Sequence, residues 1–509
     1  MAVTEEQPRL AEDREKPEFT GDTDVMGHHE PLKRVRKVPK YFGWLALFGP
    51  GAVYAATAQG SGELVFWPLL IALFGPALIG LLLPACAIQL PVTIEIGRYT
   101  ATTGETMFTG FQRINRAFAV LMWIMLFVVY LWFGGYASGA AGGMVALTGF
   151  PPGLSEDGQT YFWAYLIIAV FASVIIFGKT VYPIIEKVMI VITAITILGL
   201  VIASFHPAVR PYYGEFFGRL FSFRFSIPDN LSTQNLDYLI TAIAFAGQGG
   251  FGNVLYSYWI RDKGVGMGRF AGRVTSPVTG EPETIPSAGY SFEDTEENKK
   301  EYKGWTRWLW ADQSFGTGAN AVTLVLTTLL SFALLWPKGA VPSDDNLVSK
   351  QAAFFETSWG TVGKLAFFLV ATAFLADTWL ALVDAVSRMH SDFFTANSKR
   401  LRKWGFRNVY YTWFVILTLV SVITIPFATP GTLLVTVAVL QFFAMMLYIP
   451  GLIYMNYYKI PKVYPKWTRP SNIALFFISL SGLIYIVLGI YYLKVRGPAL
   501  IEPLTSLFS

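Results

Sequence analysis

From Lys40 onward the chain alternates between long apolar runs and shorter polar connections. Runs long enough to cross a bilayer, about 17–25 residues each, recur at roughly 43–74, 76–97, 117–148, 161–178, 180–204, 236–261, 314–336, 360–387, 410–429, 433–456 and 473–495. They predict eleven membrane spans, numbered 1 to 11 in chain order. Two of them are irregular at corresponding places. Span 1 carries Ala58-Gln59-Gly60-Ser61-Gly62-Glu63 in its middle, and span 6 carries Gly247, Gly249, Gly250 and Gly252, then Asn253. Glycine in a helix interior costs about 1 kcal/mol relative to alanine, so both clusters predict helix breaks. Span 3 also holds glycines, Gly135, Gly139 and Gly143, but their spacing of four predicts close helix packing.

Composition fixes the solvent. Hydrophobic residues make up 53% of the 509 and charged residues 14%, against roughly 25% charged in soluble proteins. The mean hydropathy is +0.46. A single cysteine, Cys86, and four histidines exclude a disulfide framework and a cysteine- or histidine-built metal cage. Of the 39 Lys and Arg, 31 fall in the N-terminal tail and the connections 2–3, 4–5, 6–7, 8–9 and 10–11. By the positive-inside rule the N-terminus is expected in the cytoplasm and the C-terminus outside. The first forty residues are polar and lack the form of a secretory signal, which suits a bacterial inner membrane. This tail, with His28 and His29, reads as a solvated, disordered arm rather than a metal tract.

Paired breaks five spans apart point to a secondary transporter built from inverted repeats, because backbone freed in a membrane must face a cavity or a ligand. The expected fold is an all-α polytopic membrane protein: a LeuT-type inverted repeat of 5+5 helices plus an eleventh, with helices 1 and 6 broken. The organisation expected is a polar cytoplasmic tail (1–40), a first repeat (41–204), an outer loop (205–235), a second repeat (236–456) with a cytoplasmic insertion (262–313), and span 11 with a short outside C-terminus (457–509). The insertion carries turn signals at Thr279-Gly280-Glu281 that predict a hairpin. Its glycines lack the strand–helix setting of a phosphate loop.

Intramembrane polar groups are functional candidates by default. Gln59, Gly60, Ser61 and Glu63 at the first break, Gly247, Gln248 and Asn253 at the second, and Gln441 in span 10 form the expected substrate site. Gln89 is expected either in the cavity or as a link between helices. In span 8, Asp384 is expected to pair with Arg388, four residues on. Asp377 has no local partner, so it and Asp384 are the coupling or gating candidates, with Glu95, which precedes Arg98. His390 reads as a surface residue. No nucleophile–base constellation, cofactor motif or nucleic-acid signature appears, so an enzyme is not expected and no cofactor is called for; the expected partners are the lipid bilayer and a small solute.

Gly49-Pro50-Gly51, the EIGRYTATTGE segment, GKTVYPIIEKV with Glu186-Lys187, and Gln441 followed by an apolar run to Pro450 together resemble the Nramp (natural resistance-associated macrophage protein) family of proton-coupled metal-ion transporters. The resemblance runs from about residue 43 to the last span. It implies a metal cation as substrate, protons as coupling ions and alternating access. The departures fall on the chemistry. Where the family has DPGN, this chain has Gly60-Ser61-Gly62-Glu63, so Gly60 replaces the ligand Asp and Glu63 the Asn. The family's MPH is also missing from span 6, which has no methionine between Asp237 and Arg261. A thioether selects softer transition metals; without one, Glu63 and amide, hydroxyl and carbonyl oxygens suit a largely hydrated hard ion such as magnesium. A small organic solute remains the alternative substrate, and a non-transporting sensor or scaffold, or a channel, the alternative role.

Overall fold

The computed structural model describes residues 16–41, 43, 49–178, 181–228, 231–342 and 350–505, without the side chains of Ser61, 181–185, Val188 and 499–505. Eight helical segments among these are long and apolar enough to cross a membrane. The first, Pro50–Thr103, contains spans 1 and 2 in series. Spans 5 and 6 are the helix Val181–Ser204 and the helix pair Thr233–Ala244 and Gly250–Lys263. Apolar side chains facing lipid remain exposed, as along span 11, where Phe476, Leu483, Val487 and Ile490 lie outward. The protein is an integral membrane protein.

The span 3 glycines pack as expected. A Cβ on Gly135 would stand 2.7 Å from Leu433 of span 10, and one on Gly143 2.3 Å from Thr372 of span 8. Span 1 departs from expectation. Its backbone does not unwind but widens into a π-helix over Gln59–Phe66 between the α-helices Pro50–Ala58 and Trp67–Phe74. The reason is contact. A Cβ on Gly60 would meet Thr378 Oγ1 at 2.4 Å, and one on Gly62 the Phe245 carbonyl at 1.9 Å. These glycines bring span 1 against spans 8 and 6, and the wide turns keep its hydrogen bonds internal.

The tail is not a disordered arm. Its described part forms β1 (Phe19–Asp24) and β2 (Leu32–Val35), and β2 pairs in parallel with β3 (Tyr290–Phe292) from the connection between spans 6 and 7. Met26, Leu32, Val35 and Val38 are buried beneath it, the apolar anchorage that a solvated arm would lack. Arg113 donates to the Met26 carbonyl at 2.7 Å and pairs with Glu105. His29 lies 2.7 Å from the Ser287 carbonyl. The membrane face that carries this sheet is the tail face.

The insertion is part helix: the helix of span 7 begins at Glu296, capped by Thr295, and runs to Leu334. Where the hairpin is expected, the Gly272 N–H donates to the Thr284 carbonyl at 3.0 Å and closes a loop that turns at 277–279 without regular strands. It links spans 4 and 9 through Ser276 Oγ to the Ile176 carbonyl (2.6 Å) and Arg407 to the Gly280 carbonyl (3.0 Å).

Candidate functional site

Span 6 breaks where its glycines predict. Helix stops at Ala244, and residues 245–249 turn the chain before Gly250 restarts it. Gly249 and Gly250 have φ of +64° and +47°, a region that L side chains rarely adopt. A Cβ on Gly250 would also lie 2.3 Å from the Gln441 Cβ. The corner is held from outside span 6. Gln89 Nε2 donates to the carbonyls of Ala244 (2.9 Å) and Ile243 (3.3 Å), while its Oε1 accepts from the Gly249 N–H (3.0 Å) and Asn253 Nδ2 (3.3 Å). Gln441 Oε1 accepts from the Gly252 N–H at 3.1 Å, and Tyr448 Oη donates to the Gly250 carbonyl at 2.8 Å. Gln89 is therefore a staple across the break, and the start of the second half-helix is capped by side chains of spans 2 and 10.

A narrow cavity opens beside this corner, with room for about one water-sized particle. Its polar wall is Thr57, Gln248, Thr378 and Gln441; Ala58, Tyr136, Phe245 and Leu382 complete it with Gly247 and Gly252. Gln248 Nε2 donates to the Tyr54 carbonyl at 3.2 Å, and its Oε1 has no hydrogen-bond partner. Of the residues expected at the site, Gly247, Gln248 and Gln441 line the cavity. Asn253 belongs to the staple, and the side chain of Ser61 lies outside the described residues.

Glu63 and Gln59 turn toward span 7. Glu63 is fully buried; its Oε1 accepts from Asn320 Nδ2 at 2.7 Å, its carbonyl accepts from Thr327 Oγ1 at 2.7 Å, and its Oε2 has no partner. Gln59 Nε2 donates to Thr323 Oγ1 at 2.7 Å. Span 1 nevertheless touches the span 6 corner through Gly62, one residue from Glu63. Two thioethers that span 6 itself lacks stand close by: Met445 Sδ lies 3.7 Å from Asn253 Nδ2, and Met189 Sδ 3.8 Å from Thr57 Oγ1. They come from spans 10 and 5, so only the fold brings them near.

The remaining intramembrane charges divide into paired and unpaired. Asp384 binds Arg388 through both oxygens at 3.0 Å and accepts from Tyr410 Oη at 2.5 Å, and Arg388 also pairs with Asp262. Glu95 pairs with Arg98 (3.2 Å) and accepts from Asn456 Nδ2 (2.8 Å). Asp392 joins Thr106 (2.6 Å) to Tyr258 (2.7 Å). These contacts close the tail face across spans 2, 6, 8, 9 and 10. Asp377 is fully buried beside Thr378, and among the described residues no cation pairs with it. His390 is not at the surface: it is fully buried, bonded to Trp123 Nε1 at 3.0 Å and stacked on Trp413 at 4.1 Å. Its ring is consumed by aromatic packing. Among the described residues no group of three or more His, Cys, Asp and Glu side chains is placed to hold a metal ion.

No protein-family model and no curated protein sequence matches the chain. Solved structures do. A histidine-to-alanine variant of the Eremococcus coleocola manganese transporter superposes with a TM-score of 0.59 at 12% identity, covering 94% of this chain and 91% of that one. A glutamate-to-glutamine variant of the same transporter gives 0.58 at 12% identity over 91% and 90%. Its complex with an aromatic bis-isothiourea compound gives 0.58 at 11% over 90% of each chain. Motif resemblance and these superpositions agree: the chain has a divergent Nramp-like fold, that of the manganese transporter structures.

Proposed function

We propose that the protein is a secondary transporter that moves a small cation by alternating access, with a hard divalent ion such as magnesium favoured over softer transition metals. The observation that carries this reading is the glycine corner of span 6, held on a small cavity lined by amide and hydroxyl groups, with Glu63 on the span 7 side of span 1, one residue from the Gly62 that touches that corner. A carboxylate in a membrane interior is tolerated when a proton or a cation neutralises it. The cavity's size favours an ion over an organic solute, and its wall supplies the oxygen ligands that a hard cation takes. Asp377, buried without a cationic partner among the described residues, is the second candidate for coupling-ion chemistry, and protons are the expected coupling ion. The two five-span halves, 41–204 and 236–456, form the inverted repeats in this reading. The tail face is the cytoplasmic face of a bacterial inner membrane, and the closed tail-face contacts are the inner gate.

A softer ion is the second reading, favoured by the Met189 and Met445 sulfurs beside Thr57 and Asn253. Calorimetric titration of the purified protein separates the two. Magnesium binding that manganese displaces only weakly, and that Gln248→Ala weakens, supports the hard-ion site. Binding of manganese alone, abolished by Met445→Leu or Met189→Leu, replaces it with the softer one.

A further inference from the structure

The tail crosses the tail face as a strap with several fixings. Near span 1 it is pinned to the helix of span 7. The Val38 N–H donates to Asn298 Oδ1 (2.8 Å), Asn298 Nδ2 to the Arg36 carbonyl (2.8 Å), the Tyr41 N–H to Glu301 (2.7 Å) and Trp305 Nε1 to the Pro39 carbonyl (2.8 Å). Its middle sits on the short helix Met107–Ile114 between spans 2 and 3. There the His28 N–H donates to the Arg113 carbonyl at 3.1 Å, and a Cβ on Gly27, at φ +67°, would lie 2.0 Å from that oxygen. Glu30 then clasps two connections together. Its carbonyl accepts from Arg113 Nη2 at 3.1 Å, while its carboxylate pairs with Arg402 and accepts from Ser287 Oγ at 2.5 Å. Arg402 lies on the helix Lys399–Trp404 between spans 8 and 9 and donates to the Thr395 (3.1 Å) and Ala396 (3.0 Å) carbonyls, so the clasp reaches the end of span 8. A cavity at the clasp is lined by Thr109, Ser287, Asp392 and Arg402 among others. Asp392 there accepts from Thr106 Oγ1 at 2.6 Å. The connection between spans 2 and 3 is thus joined to the end of span 8 twice, by Thr106–Asp392 and by Glu30.

We propose that residues 26–41 are an autoinhibitory strap that holds the tail face closed, and that Glu30 lets go of Arg402 before that face parts, an inference that rests on the transport reading for its purpose. The strap is built to open at one place. Its anchors Arg113, Asn298 and Trp305 are buried, and separating them leaves buried donors unpaired. The Glu30 and Arg402 side chains are 40% and 34% exposed, and an ion pair so placed is weak and screened by salt. The clasp therefore breaks first while the rest of the tail stays seated. An anchored segment meets its partner again at high effective concentration, so the clasp re-forms and favours the closed face without sealing it.

Distances between spin labels in the full-length, detergent-purified protein test it. The labels go at Ala117→Cys and Arg400→Cys, exposed positions on either side of the clasp, with Cys86→Ser removing the native thiol. The parent with intact Glu30 is expected to give one dominant distance. Glu30→Ala is expected to raise a longer-distance population about five- to tenfold, the shift that losing one partly exposed ion pair and one hydrogen bond allows. Glu18→Ala removes another acid of the tail, paired with Arg36 at 3.1 Å, and is expected to match the parent. Identical distributions with and without Glu30→Ala overturn the strap, as does an equal shift in Glu18→Ala. Tracer magnesium uptake into proteoliposomes then reads the inhibition: Glu30→Ala is expected to exceed the wild type, and uptake equal to or below it overturns the autoinhibitory role. Failure of the wild type to take up any cation removes the transport reading instead, and the distances, which need no transport, still decide whether the tail holds the face closed.

Discussion

Gln89 is the side chain on which the span 6 corner depends most, and Gln89→Leu measures that dependence. Leucine keeps most of the volume but removes a donor and an acceptor that make four contacts, at 2.9, 3.0, 3.3 and 3.3 Å. Interhelical polar contacts in membranes average about 0.6 kcal/mol, so four equal ones would contribute about 2.4 kcal/mol. They are not equal. The Ile243 carbonyl keeps the Ala246 N–H at 3.4 Å, and Asn253 Nδ2 keeps Tyr448 Oη at 3.5 Å. The Gly249 N–H loses its acceptor, and a buried donor left unpaired costs about 1–3 kcal/mol by itself. Destabilisation of about 2–4 kcal/mol is therefore expected, dominated by one backbone group. The chain carries its own reporter: Cys86 is the sole cysteine and is buried, so a thiol-reactive dye labels it as the protein opens on heating. Gln351→Leu, which removes one bond to the Val65 carbonyl (3.2 Å), is the control. A midpoint for Gln89→Leu no lower than that of the control refutes the staple.

Two other perturbations probe the corner and the tail. Gly250→Ala combines a positive φ, costing roughly 1–2 kcal/mol, with a Cβ 2.3 Å from that of Gln441; it is expected to destabilise by at least about 2 kcal/mol, and wild-type dye labelling with unchanged cation binding contradicts the corner geometry. The tail should release in acid only. Burial pushes the Glu105 carboxyl up, but the Arg113 guanidinium outweighs it and holds the group below its ordinary range; burial is likewise outweighed at Asp24 by Arg34 and Ser291, and at Glu30 by Ser287 and Arg402. A carboxylate depressed in the folded state contributes stability present above its unfolded pKa and lost as pH falls through the folded value. A spin label at Val25→Cys, a 72% exposed position beside β1, should keep constant mobility near neutrality and loosen below about pH 4; loosening between pH 6 and 8 contradicts the assignment.

Hydropathy made the apolar helices legible, and four glycines made the span 6 corner legible, because both signals are local. The π-turns of span 1 were not, since Gly60 and Gly62 answer to Thr378 and Phe245, residues more than 180 positions away in sequence. The tail strands were hidden for the same reason: β3, which completes their sheet, lies beyond the sixth span. His390 reads as exposed because it lies near the cytoplasmic end of span 8, but its neighbours Trp123 and Trp413 come from spans 3 and 9. Span 7 did carry a signal. Asn320, Thr323 and Thr327 recur at helical spacing inside the apolar run 314–336, and only their meeting with Glu63 and Gln59 needed the fold.

In the proposed transport cycle, cation uptake depends on the Glu63 carboxylate. Tracer magnesium uptake into proteoliposomes, compared between wild type and Glu63→Gln, tests it most directly, because glutamine keeps an acceptor for Asn320 while removing the charge. Saturable uptake by the wild type and none above empty vesicles for the variant is the expected result. Equal uptake by both proteins, or none by either, contradicts it.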